Sequence, residues 1–264
     1  MTKVIGLVCE GPRDCELISS IIDNLFPDVT IDYRYLQPDQ SLISRNYNGW
    51  KGVLRWCYKD YKSACESKDY LTQGLDLIVI QLDGDVSRDF NNKQSHCSCI
   101  ECECEERKEI IKNDMAHAED CMIGADDCPL RFPCTEHHEK EPDLYIAHLN
   151  NLIETYLGDK HLIPTVITVP CDSTDTWVVA AVDELDKEYE LIEDTWDNII
   201  ARGKYYHGIR IPGKRKTKNA YKEFIKLVIE NWHLVTSRCE QAYLFQKEIS
   251  EALLITEDGS QTTD

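Results

Sequence analysis

The stretch that most constrains this chain is residues 75–85, where Leu77, Ile78, Val79, Ile80 and Leu82 form a nearly unbroken apolar run. A strand with one wet face would alternate apolar and polar residues. This one fits the centre of a parallel sheet covered on both faces. It ends in two carboxylates, Asp83 and Asp85, with Gly84 between them. Ligands of open α/β sheets sit beyond the carboxyl ends of such strands. Side chains two apart on an extended chain point the same way, and Gly84 lets the backbone turn sharply between them. Two like charges so close require a counter-ion, and hard carboxylate oxygens suit Mg²⁺ or Mn²⁺. Taken alone, the three residues also fit a strand followed by a plain acidic turn.

The flanking segments extend this picture. Residues 4–9 read as a buried strand running into Glu10-Gly11-Pro12-Arg13-Asp14 and a helix to about residue 26. Pro12 suits the first turn of that helix. Glu10 thus stands at a strand end, as Asp83 does, where it either complements the helix N-terminus or serves a site. Asp14 and Asp89 lie nearby and read as helix-turn or loop acids. Residues 29–36 alternate as a second strand, residues 37–49 are turn-rich, and residues 50–65 have helical spacing. Further on, residues 143–157 read as helix, residues 163–169 as strand and residues 176–185 as helix. Alternation of strand and helix predicts an α/β fold with a doubly wound, mainly parallel sheet. Residues 190–202 predict a short helix and residues 219–255 a helical C-terminal segment. The expected organisation is an α/β domain over residues 1–185, a helical segment over 186–256 and a disordered tail over 257–264.

Residues 89–141 interrupt that order with few aliphatic residues and many cysteines, histidines and acids, and read as a Cys-rich insertion. Cys99 and Cys102 form Cys-x-x-Cys, a common half of a zinc knuckle, and Cys134 with His137 supplies a second half. Cys97, Cys104, Cys121 and Cys128 are alternates. Structural Zn²⁺ would supply the folding energy that so little apolar surface cannot. An acidic loop with incidental thiols and a redox-sensing cluster are the competing readings. Cys9, Cys15, Cys57, Cys65, Cys171 and Cys239 fall on apolar faces or strand ends and read as small buried residues.

A formal net charge of −19 over 264 residues argues against a general nucleic-acid coat or an anionic membrane surface as the whole molecule's partner. No apolar run approaches the roughly 20 residues that span a bilayer, and residues 1–10 lack a signal-peptide cleavage pattern. These features predict a cytoplasmic protein, whose 13 cysteines point to metal or redox chemistry before disulfides.

Glu10-Gly11 at one strand end and Asp83-Gly84-Asp85 at another resemble the TOPRIM domain, the metal-binding α/β module of topoisomerases, primases and OLD-family nucleases. The stand-alone OLD-like branch adds an acidic residue before a tryptophan and an apolar helix, which residues 170–181 resemble. That branch carries a glutamate there. This chain offers Asp172 and Asp175 ahead of Trp177, and either matches. The resemblance spans residues 3–185 and implies Mg²⁺-assisted (or Mn²⁺-assisted) phosphodiester cleavage. Glu10, Asp83 and Asp85 would be ligands or, for Glu10, a general acid/base. Asp172 or Asp175 would serve a second ion. A role in anti-phage defence, beside a partner ATPase or as a homo-oligomer, follows from the family alone.

Residues 205–218 are basic in an otherwise acidic chain. Arg210, Lys214, Arg215, Lys216 and Lys218 offer cations for a phosphate backbone, DNA before RNA, and Lys216 could stabilise charge developing at a phosphoryl group. Tyr205, Tyr206 and His207 add stacking groups. The rivals are a non-catalytic subunit that binds a partner ATPase, and an Asp-x-Asp phosphotransferase or glycosyltransferase. The latter would not need Glu10.

Overall fold

The computed structural model describes residues 2–38, 49–66, 73–88, 142–158 and 161–258. Four strands build one sheet: β1 (Thr2–Val8), β2 (Thr30–Gln37), β3 (Leu77–Gln81) and β4 (Thr165–Thr168). They pair in parallel throughout, in the order β2-β1-β3-β4. Strand β3 is central and buried along its whole length. That is why its sequence lacks alternation: Leu77 and Val79 enter the core on one face, and Ile78, Ile80 and Leu82 enter the core on the other.

Helices α1 (Pro12–Leu25), α2 (Trp50–Arg55), α3 (Tyr61–Glu66) and α4 (Asp85–Arg88) occupy the first part of the chain. A π-helical turn, Trp56–Asp60, links α2 to α3. There follow α5 (Pro142–Leu157), α6 (Asp175–Val182), α7 (Thr195–Ala201), α8 (Lys218–Glu230), α9 (Trp232–Arg238) and α10 (Glu240–Asp258). One face of the sheet packs on residues of α2, α3 and α5. The other packs on α1, α6 and the C-terminal helices in a single continuous core. Residues of the C-terminal segment as far as Leu253 therefore pack on this face of the sheet. The segment expected to be one long helical stretch is three helices, broken at Asn231 and Cys239. The junctions put Trp232 and Phe245 against Trp177, with ring centroids 5.6 Å and 5.9 Å from it.

The basic segment is more ordered than a loop. It holds a hairpin of β5 (Tyr205–Tyr206) and β6 (Ile209–Arg210), then a short 3₁₀ turn, Pro212–Lys214. The tail is helical as far as Asp258. Cys97, Cys99, Cys102, Cys104, Cys121, Cys128, Cys134, His137 and Asp89 lie outside the described residues, as does the whole of the insertion. Of the other cysteines, Cys65 is partly exposed and the remaining five are buried and unpaired by disulfides. Among the described residues no helix is long and apolar enough to cross a membrane.

Candidate active site

The sheet register brings distant residues to one edge. Val8 pairs with Ile80, and Ile80 with Ile167, so β1, β3 and β4 end level with one another. Beyond the strands the pairing of β3 and β4 continues as single hydrogen bonds. The amide of Leu82 donates to the Thr168 carbonyl (3.2 Å), Gly84 to Pro170 (3.0 Å) and Asp85 to Asp172 (2.8 Å). Glu10, Asp83 and the loop before α6 therefore meet at the carboxyl edge of the sheet.

Gly84 is needed for a reason other than a sharp turn. Its backbone is not in the left-handed region. A Cβ there would lie 2.7 Å from the Pro170 carbonyl oxygen and 2.8 Å from Tyr145. The close approach of two chain segments, not backbone freedom, requires glycine. Gly84→Ala should cost about 1–3 kcal/mol by overpacking, read as a lower denaturant midpoint, with the Asp83 and Asp85 positions displaced.

The Glu10 carboxylate accepts the Asp83 amide N–H at 2.7 Å. The Glu10 amide in turn donates to Gln81 Oε1 at 3.2 Å, and Gln81 Nε2 donates to Asp83 Oδ1 at 2.7 Å. Gln81 is fully buried and so staples the two strand ends together. Asp83 Oδ1 also accepts the Thr174 amide at 3.3 Å, while the Thr174 hydroxyl donates to Asp14 at 2.7 Å. Asp14, the acid in the first turn of α1, thus also joins the site. Asp85 opens α4, close enough for its charge to act on both Glu10 and Asp83.

Asp172 and Asp175 separate cleanly. Asp172, at a left-handed φ of 60°, sends its carboxylate to the amides of Asp194 (2.9 Å) and Thr195 (2.8 Å). It caps the N-terminus of α7, where backbone N–H groups otherwise lack partners. Asp172→Ala should cost about 2 kcal/mol by the loss of that cap, measured by chemical denaturation, and leave Glu10 and Asp83 in place. Asp175 is fully buried and turns inward. Its Oδ1 accepts the Tyr221 hydroxyl at 3.2 Å, and its Oδ2 is paired with the Lys216 ammonium and lies 3.4 Å from the Ser173 hydroxyl.

Lys216 therefore leaves its basic neighbours. Its ammonium also lies 5.5 Å from the Trp196 ring centroid. Arg210, Arg215 and Lys218 stay exposed, with Lys218 reaching Glu16 at 3.9 Å. The Lys214 side chain lies outside the described residues.

The electrostatics follow from the crowding. Glu10 and Asp83 are pushed well above the usual carboxylate range, first by burial and then by neighbouring acids. For Glu10 the amides of Asp83 and Trp50 oppose the rise only in part. Burial raises Asp14 too, against the pull of Thr174 and Lys216. Burial works against the Lys216 charge, but Asp175, Asp14 and Asp83 outweigh it and drive its pKa up. Glu10, Asp83 and Asp85 keep partial exposure, whereas Asp14 and Asp175 are buried. The site thus has an open acidic mouth and an inner end where the partly exposed Lys216 pairs with buried Asp175.

Among the described residues no three or more Asp, Glu, His or Cys side chains are arranged to enclose a metal ion. The donor chemistry of the mouth nevertheless fits a hard dication: carboxylate oxygens, crowded together and short of positive charge. Sequence reasoning missed Gln81, Thr174 and Tyr221. Gln81 alone left a trace, as a polar residue in an apolar strand just before the acids. No protein-family model matches this chain, and no curated protein or solved structure matches it either.

Proposed function

We propose that this chain is a TOPRIM-like, divalent-cation-dependent phosphodiester hydrolase acting on nucleic acid, DNA before RNA. The observation that carries the reading is the meeting of Glu10, Asp83 and Asp85 at one carboxyl edge of a parallel sheet, with Lys216 behind them. Glu10, Asp83 and Asp85 would hold Mg²⁺ or Mn²⁺, which supplies Lewis-acid stabilisation and a more acidic attacking water. Glu10, with its proton affinity raised by burial, would alternatively take or return a proton as general acid/base. Gln81 and the Thr174 amide hold Asp83 in one orientation. Lys216 offsets negative charge growing on the phosphoryl oxygens. Arg210, Lys214, Arg215 and Lys218 offer contacts to the flanking phosphates, with the salt sensitivity this implies.

The test is incubation of the purified chain with plasmid DNA, and separately with RNA, in Mg²⁺, Mn²⁺ or chelator. Metal-dependent nicking that Glu10→Ala abolishes supports the reading. Absence of cleavage with either metal, together with absence of divalent-ion binding, overturns it.

A further inference from the structure

We infer that the site takes one divalent ion, not two, because Lys216 is a built-in cation at its inner end. This rests on the hydrolase reading above and specifies its ion content. A two-ion site needs a second set of carboxylate oxygens facing the first, and Asp175 is the acid placed to provide them. Both of its oxygens are engaged, by the Tyr221 hydroxyl and by the Lys216 ammonium with Ser173 alongside. Its side chain is 0% exposed, so an incoming hydrated ion would have to displace the ammonium to reach it. Asp14, the other inner acid, accepts the Thr174 hydroxyl and lies within the field of the same ammonium. Asp172 offers no substitute, since both of its oxygens serve α7. Among the described acids of the site, Glu10, Asp83 and Asp85 are the ones that keep solvent access.

The placement of Lys216 is not incidental. The turn at Gly213, with φ of 58°, precedes it, and the helix carrying Tyr221 follows it. The Lys216 and Tyr221 groups on Asp175 therefore come from one continuous stretch. The Trp196 ring beside the ammonium limits its other positions. A fixed ammonium there does the charge work of a second ion without binding equilibrium.

The experiment is Mn²⁺ titration followed by electron paramagnetic resonance and calorimetry on the full chain. Wild type is expected to bind one Mn²⁺ per chain, and Lys216→Arg likewise. Lys216→Met, which frees Asp175, is expected to bind two, and adding Asp175→Asn to it should return the count to one. Two ions on wild type overturn the inference whether or not Lys216→Met folds. A count of one on folded Lys216→Met overturns it equally, since Lys216 would not be what excludes the second ion. No ion on any variant removes the hydrolase reading, and this inference with it.

Discussion

Asp83→Asn is expected to lower metal-dependent cleavage by about a thousandfold or more while raising the melting temperature at neutral pH. The first effect follows from loss of a charged ligand at the mouth. Metal stabilisation of phosphoryl charge is worth several kcal/mol, and each 1.36 kcal/mol is about tenfold in rate. The second follows from crowding. The Asp83 carboxylate is disfavoured by burial, by Glu10, by Asp14 and by Asp85, and the Lys216 charge offsets only part of this. Asparagine keeps a carbonyl oxygen for the Gln81 and Thr174 donors that now meet Asp83 Oδ1. It loses the repulsion and keeps the hydrogen bonds. For a chain of this size, each kcal/mol recovered should appear as about 2–4 °C. A nicking assay and a thermal melt on the same preparation decide the matter. Activity within tenfold of wild type would remove Asp83 from the chemistry.

Without divalent ions the protein should lose stability as pH rises from the acid side through neutrality, and Mg²⁺ or Mn²⁺ should restore it. Glu10, Asp83 and Asp14 all have folded pKa values raised above their unfolded ones. Between the two values the folded chain binds more protons than the unfolded chain, so stability declines with pH. Their favourable contribution is whole below about pH 4, the unfolded carboxylate range, and is lost as pH passes the raised folded values. The excess negative charge of the whole chain adds a decline of the same sign. The local part is isolated by comparing wild type with Asp83→Asn, whose melting temperature should fall less steeply. Added metal should flatten the wild-type curve and barely move the variant. Parallel curves for the two proteins would show that the acids at the mouth are not electrostatically strained.

Glu10 and Asp83 were legible in the sequence because strand ends are marked by sharp changes of composition, and a parallel sheet aligns such ends. The α/β alternation and the buried β3 were legible for the same reason. The choice between Asp172 and Asp175 was not. It turns on Asp172 adopting a left-handed backbone and finding α7, whose amides lie 22 and 23 residues ahead. No local pattern encodes a partner at that distance. Lys216 was visible only as one of several cations in a basic run. Which cation turns inward depends on the hairpin and the Gly213 turn before it. Gln81, Thr174 and Tyr221 act through bonds to residues 71, 91 and 46 positions away. Gly84 suggests backbone freedom from its place between two acids, and is instead required by crowding against Pro170 and Tyr145.

The separation in sequence of the groups that meet at the site has a consequence for how the protein is made. Its first acid is Glu10 and its last partners are Lys216 and Tyr221, so the assembled site draws on most of the chain. On a ribosome, a nascent chain carrying β1 and β3 would present repelling acids with no ammonium among them. Phe245 and Trp232, which pack on Trp177, emerge later still. Long-range closure of this kind is slow and comes late. Assembly of this edge thus waits until Lys216 and Tyr221 have been made, so a product cut before Lys216 would carry the acids but not the finished site.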